Sequence, residues 1–269
     1  MRISIISINY NNTEGLEQTI KSVLAQTYDN IEYIVVDGGS TDGSIDIINR
    51  HSDFISYWVS EKDRGVYNAM NKGIEQAHGD YLMFLNSGDT FYNNQVLEHV
   101  NKYFSLKNEI IYGDLNVVRN GCEEFINYPD QLSFRHLFNG NICHQAIFYQ
   151  KDLFKKVGIY LEDYTITADW VHLVTAIFKY NCSYIHIPVI ISTYPLNGIS
   201  EDPNNLETLI TERERFLNSE FSLFTDDYKE LERLNMENKK LEKSNALLKN
   251  SKLYKANYKL RSLFNKFIK

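Results

Sequence analysis

Residues 61–89, EKDRGVYNAMNKGIEQAHGDYLMFLNSGD, decide the fold. A polar loop carrying Arg64 and Gly65 leads into helical spacing from Tyr67 to His78, and Gly79-Asp80 turns the chain. The apolar run Tyr81 to Leu85 then reads as a strand that stops at Asn86-Ser87-Gly88-Asp89. In open α/β sheets, ligands gather outside the carboxyl ends of the strands. Asp89 is therefore a candidate ligand for a divalent cation that neutralises phosphates.

The same alternation extends towards the N-terminus. Ile3 to Ile8 is β-branched and alternating, a buried strand, and Asn11-Asn12-Thr13 supplies cap chemistry for a helix over Leu16 to Ala25. Ile31 to Val36 is a second strand ending at Asp37; Gly38-Gly39-Ser40 turns, and Asp42 or Ser44 starts a helix that ends near Arg50. Ile55 to Val59 reads as a short strand. Strands alternating with helices predict a mainly parallel sheet covered on both faces. Beyond residue 105 the pattern loosens. Strands are expected at Ile110 to Tyr112, Leu115 to Val118, Ala146 to Tyr149, Ser183 to Ile187 and Val189 to Thr193. Helices are expected at Phe134 to Phe138, Asp152 to Val157 and Asp169 to Tyr180.

Composition narrows the function classes. At 269 residues with 43% apolar side chains, the chain suits one large domain with an appendage. Three widely spaced cysteines, Cys122, Cys143 and Cys182, favour reduced thiols and a cytoplasmic setting. The opening apolar run breaks at once, unlike a signal peptide, and no stretch reaches the length of a transmembrane helix. The net charge is −7, yet residues 249–269 carry seven cations and no acid, leaving −14 on the first 248. An acidic body with a basic tail argues against nucleic-acid binding and for a local anchor.

Leu234, Leu241 and Leu248 recur every seven residues, with Leu231, Asn238 and Asn245 on the alternate seam positions. This spacing over 228–248 predicts either a short parallel coiled coil that would make a homodimer, or a helix packed on the body. In the tail, Leu260, Leu263, Phe264, Phe267 and Ile268 share one helical face opposite the cations. That is the pattern of peripheral membrane contact, or of a docked terminal helix.

With Val35-Val36-Asp37-Gly38-Gly39-Ser40-Thr41-Asp42-Gly43-Ser44 upstream, the 61–89 stretch resembles the family 2 inverting glycosyltransferases of the GT-A (nucleotide-diphospho-sugar transferase) fold. The likeness covers roughly the first two hundred residues. It implies an α/β GT-A domain over 1–215 with a helical extension over 216–269. It also implies transfer of a sugar from a nucleotide diphosphate sugar, UDP favoured, to a saccharide or lipid-linked saccharide acceptor, with Mn2+ or Mg2+ as cofactor.

The resemblance carries over residue by residue. Asp89 falls at the metal and diphosphate, where the family has an Asp-x-Asp type motif; here only one acid remains, with Ser87 and Asn86 beside it. Asp37 falls at the base, although the second acid of the family pattern is Gly38. Ser7, Asn9, Arg64, Asn68, Lys72 and Ser87 join the donor set, Arg64 because a guanidinium matches phosphate oxygens. Tyr10 either stacks on the base or is buried core. Asp169, in Thr167-Ala168-Asp169-Trp170, retains the second member of the family's catalytic acid pair and is the general base.

Two side chains stay open between roles. His144 binds metal, touches the acceptor, orients Asp169, or is structural; Trp170 is an acceptor platform or core. The competing functions are a catalytically degenerate scaffold, favoured by the thinned acidic motifs, and a sugar nucleotidyltransferase. The latter lacks its Gly-rich basic loop, because Asn9-Tyr10-Asn11-Asn12 stands there.

Overall fold

The computed structural model describes residues 1–119, 121–195, 198, 201–251 and 255. It forms two compact units, Met1–Arg213 and Glu214–Lys269. The first opens with β1 (Ile3–Asn9), α1 (Thr13–Leu24), β2 (Ile31–Asp37), α2 (Ser44–Arg50) and β3 (Tyr57–Ser60). There follow α3 (Val66–Gln76), β4 (Tyr81–Phe84), β5 (Thr90–Phe91) and α4 (Val96–Phe104). The second half holds β6 (Ile110–Arg119), β7 (Cys122–Ile126), α5 (Phe134–Asn139), β8 (Ile147–Gln150), α6 (Leu153–Val157), α7 (Ala168–Val174) and β9 (Tyr184–Pro195). α8 (Leu206–Glu220) carries the chain across the division into α9 (Ser222–Asn250).

The sheet order is β3-β2-β1-β4-β8-β6-β9-β5, with β7 paired to β6. β3, β2, β1 and β4 run parallel, β1 matching Asn9 with Asp37 at its carboxyl end. β8 enters antiparallel between β4 and β6, and β6 and β9 are parallel again. Ile3, Ile5, Val35, Met83 and Leu85 meet Leu16, Ile20 and Val23 of α1 and Val96, Val100 and Phe104 of α4 in one core. At about 25 cal/mol per Å² of apolar area removed from water, such burial is the main driving term for this layer.

Several boundaries differ from the sequence reading. α1 starts at Thr13, three residues early, because Asn12 caps it by accepting from the Gly15 N–H at 3.1 Å. The two strands expected around Gly113-Asp114 are one strand, β6, whose register against β9 shifts at that dipeptide. β9 likewise runs through Pro188, where the expected pair of strands was divided. The helix expected over Asp169 to Tyr180 is α-helical only to Val174 and continues as a π-helical turn, Thr175–Lys179. β7 was not foreseen, since its Cys-Glu-Glu-Phe-Ile run is exposed and lacks an apolar face.

In the second unit α9 is a single 29-residue helix, and Leu231, Leu234, Leu241 and Leu248 are exposed on it. The tail's amphipathic face, Leu260 to Ile268, lies outside the described residues. Among the described residues no helix is long and apolar enough to cross a membrane.

Candidate active site

At the carboxyl end of β2, the Asp37 carboxylate is fully buried and accepts five hydrogen bonds. Oδ1 takes Asn9 Nδ2 at 2.8 Å and Ser40 Oγ at 2.6 Å. Oδ2 takes the backbone N–H groups of Gly39 and Ser40 and the Ser60 hydroxyl, at 3.1, 2.9 and 2.6 Å. Burial works to raise its pKa, but these donors outweigh it and hold the carboxyl below the usual range. A carboxylate offers about four lone-pair sites, and the donors that fill them here build the Gly38-Gly39 turn and tie it to Asn9 and Ser60.

Ser7 is buried, donates to the Leu85 carbonyl at 2.5 Å and receives the Tyr33 hydroxyl at 3.1 Å, so its side chain is spent within the core. Asn9 spends its amide N–H groups on Asp37 and Ser40. Tyr10, the next residue, is 68% exposed, which removes the core alternative.

The loop after β4 is tied to α1 by one hydroxyl. Thr19 Oγ1 lies 3.1 Å from the Asn86 carbonyl, 2.7 Å from the Asp89 carbonyl and 3.0 Å from the Gly88 N–H, which donates to it. Ser87 sits at the rim, donating to the Asn12 carbonyl at 3.1 Å. Burial pushes the Asp89 carboxyl up to about 6, against the opposing charge of His144. A carboxyl destabilised by desolvation gains from a cation, and this one fits a metal. Among the described residues, however, no three His, Cys, Asp or Glu side chains gather to hold one. The remaining ligands would have to come from a bound molecule.

His144 connects this loop to α7. Its Nε2 lies 2.9 Å from Asn86 Nδ2, and its Nδ1 lies 3.4 Å from Asp169 Oδ2. The neutral imidazole takes the Asn86 amide N–H on Nε2; the imidazolium needs the amide turned over so that its oxygen accepts, and in both forms the Nδ1–H faces Asp169. The Tyr67 hydroxyl lies 2.9 Å from Asp169 Oδ1 and 2.7 Å from the Ile166 carbonyl, its one proton serving one acceptor at a time. Burial raises Asp169, but the His144 hydrogen bond and charge, then Tyr67, outweigh it and leave the carboxyl below its ordinary pKa. Burial lowers His144, and Asp169 and then Asp89 more than reverse that. Asp89, His144 and Asp169 thus share one electrostatic neighbourhood. Cys143 beside them is protonated, its thiol pushed up to about 11 by burial.

The remaining donor-set residues are otherwise engaged. Arg64 pairs with Glu162 through Nε and an Nη nitrogen at 3.2 and 2.7 Å. Asn68 is buried, with Oδ1 on the Arg64 N–H and Nδ2 on Glu162, so it shapes the loop. Lys72 pairs with Glu61 at 2.6 Å. Trp170 is corrected as an acceptor platform: it is 1% exposed and donates Nε1–H to the Leu137 carbonyl at 2.7 Å. The Arg213 guanidinium lies 4.7 Å from its ring centroid.

The sequence of residues 4–161 matches the model for Glycosyl transferase family 2. The chain belongs to that family. It is 34% identical over 202 residues to an uncharacterised glycosyltransferase of Mycobacterium tuberculosis, covering 73% of this chain and 76% of the relative. A PGL/p-HBAD biosynthesis glycosyltransferase of Mycobacterium bovis is 35% identical over 175 residues, covering 62% of this chain and 66% of that protein.

Among solved structures, S. aureus TarS 1-349 in complex with UDP-GlcNAc aligns with a TM-score of 0.61 at 16% identity, over 74% of this chain and 59% of that one. The mannosyltransferase PcManGT of Pyrobaculum calidifontis, in complex with GDP-Man and Mn2+, aligns at 0.57 and 18% identity over 74% and 58%. At these identities the likeness is one of GT-A fold. The chain spans 44% of a longer TarS chain.

Three side chains of this family 2 glycosyltransferase went unremarked in the sequence. Glu162 gathers Arg64, Asn68 and Asn71. Thr19 ties down the Asp89 loop. Glu212, on α8, accepts five hydrogen bonds from Thr165, Ile166 and Thr167, the residues leading into Asp169. Both glutamates act over separations of 45 residues or more, so no local motif announces them.

Proposed function

We propose that this glycosyltransferase inverts the anomeric carbon of a nucleotide diphosphate sugar, UDP favoured, in transfer to an acceptor hydroxyl. The observation that carries the reading is Asp169, its side chain 12% exposed and its carboxyl held below the ordinary range, set against His144 and Tyr67 beside Asp89. The acceptor hydroxyl gives its proton to Asp169, and its oxygen attacks the anomeric carbon from the face opposite the diphosphate. The bond from that carbon to the diphosphate oxygen breaks, and its electron pair leaves with the diphosphate. Asp89, with the donor's own phosphates, would hold Mn2+ or Mg2+; such a cation supplies neutralising charge to the leaving group. Arg64 exchanges Glu162 for a phosphate in this scheme, which its exposure permits.

The basic residues of 249–269 support a lipid-linked saccharide acceptor met at an anionic membrane surface. Co-sedimentation with anionic vesicles tests that contact, and full recovery in the supernatant would remove it. The exposed leucines of α9, with Asn238 and Asn245 on the same seam, support a parallel homodimer. Sedimentation equilibrium should then give a dimer that Leu241→Lys splits; a monomeric wild type would end that reading.

Asp169→Asn tests the mechanism. Release of UDP from a panel of UDP-sugars should fall by roughly 10²–10⁴-fold, the usual worth of a positioned base, with UDP affinity retained. Undiminished turnover would remove Asp169 as the base. The single acid at the strand end, Asp89, favours one other reading, a degenerate binding protein. Metal-dependent turnover of any UDP-sugar would exclude it.

A further inference from the structure

Gly38 is the position where this chain lacks the second acid of the family pattern, and the structure shows what replaces it. Gly38 is absent from the left-handed backbone positions, so its conformation does not call for glycine. Its space does. A Cβ placed there would fall 2.5 Å from Asp63 Oδ2 and 3.2 Å from a ring carbon of Tyr10. The Asp63 carboxylate therefore occupies the ground that a side chain at residue 38 would enter.

Asp63 is held in that position. The Glu61 N–H donates to the Asp37 carbonyl at 3.0 Å, and Ser60 is bound to the Asp37 carboxylate. Gly39, at φ +82°, brings the backbone of Glu61 and Lys62 close: a Cβ there would lie 3.3 Å from the Lys62 nitrogen. Asp63 Oδ1 accepts the Gly65 N–H at 3.0 Å, and among the described residues Oδ2 receives no hydrogen bond. One carboxylate oxygen thus stands open at the strand end, next to an exposed aromatic ring.

We infer that Asp63, taking the place of the acid missing at residue 38, reads the base of the donor nucleotide, and that the base is uracil. This rests on the nucleotide-sugar reading given above. Tyr10 offers the face on which the base stacks. A single open acceptor oxygen matches the one N3–H of uracil. Cytosine and adenine present a ring nitrogen acceptor at the corresponding edge and would meet the carboxylate lone pair to lone pair. Guanine offers two parallel donors and is best met by both oxygens of a carboxylate, but Oδ1 is already engaged.

The test is calorimetric titration of the full chain, with Mn2+ present, using UDP, CDP and GDP. Wild type should bind UDP most tightly. Asp63→Asn keeps the oxygen on Gly65 and turns an N–H2 towards the base. UDP affinity should fall roughly 10–100-fold, the worth of one charge-assisted hydrogen bond, and the preference for UDP over CDP should shrink. The double variant Gly38→Asp with Asp63→Gly moves the carboxylate back to the strand end and should recover UDP binding. Unchanged UDP affinity in Asp63→Asn, or tighter binding of GDP than UDP by wild type, overturns the inference. Failure of wild type to bind any of the three overturns the donor reading beneath it, which separates the two.

Discussion

Replacing Glu212 by Gln should destabilise the enzyme and misplace Asp169. Glu212 Oε1 accepts the Thr165 N–H and hydroxyl at 2.6 and 2.7 Å; Oε2 accepts the Ile166 and Thr167 N–H groups at 3.1 Å each and the Thr167 hydroxyl at 2.9 Å. The side chain is almost wholly buried. A glutamine has one acceptor oxygen. Set against Ile166 and Thr167, it keeps three bonds as neutral ones, each weaker by about 1 kcal/mol. Its N–H2 group then faces the Thr165 N–H, donor against donor, which costs about 1–3 kcal/mol more. The sum is roughly 4–6 kcal/mol, an upper bound because the Thr165 and Thr167 hydroxyls can turn to new partners, and it is read from urea unfolding.

Because the three bound residues lead directly into α7, the same change should lower kcat for UDP-sugar turnover about 10–100-fold, since a 1 Å misplacement of a reacting group costs on that order. UDP affinity should hold. Burial works to raise the Glu212 pKa, and its hydrogen bonds lower it further than burial raises it. Its stabilisation is therefore complete above the ordinary glutamate range and disappears as pH falls through the depressed value. Glu212→Gln should flatten that acid limb. A loss below 0.5 kcal/mol would refute the hydrogen-bond reasoning, and a normal kcat in a destabilised variant would refute the aiming of Asp169.

Other outcomes follow from the same geometry. Asp89→Ala should abolish the Mn2+ dependence of UDP binding, and unchanged Mn2+-dependent affinity would remove Asp89 from the metal. His144→Ala takes away the group that lowers Asp169 most while leaving its burial in place. The Asp169 pKa should rise, so the acid limb of the kcat/KM profile should move to higher pH; an unmoved limb would refute the coupling. In wild type, the stabilisation of His144 by Asp169 is full below the ordinary histidine pKa and is lost as pH rises through its raised value.

What the sequence revealed, and what it hid, follow from how far each constraint reaches along the chain. The strands β1, β2 and β4 were legible because burial on both faces imposes apolar runs, and the helices between them because turn and cap residues lie within a few positions of their targets. Asp89 and Asp169 were placed by motif order, which is also local. Asp37, Ser7 and Asn68 are polar residues near strand and loop ends, and each also takes partners that the fold delivers from elsewhere: Asn9 and Ser60, Leu85 and Tyr33, and Glu162. The residues that complete the site, Glu162 and Glu212, are surface-type acids whose meaning appears only when the chain closes on itself. Gly38 marks where the two kinds of information meet. In the sequence it is a departure from the family's paired acids; in the structure its missing side chain is the room that Asp63 fills. A thinned motif therefore need not mean a lost function, because a carboxylate deleted at one position can be resupplied by a neighbouring loop, provided the vacated position stays small.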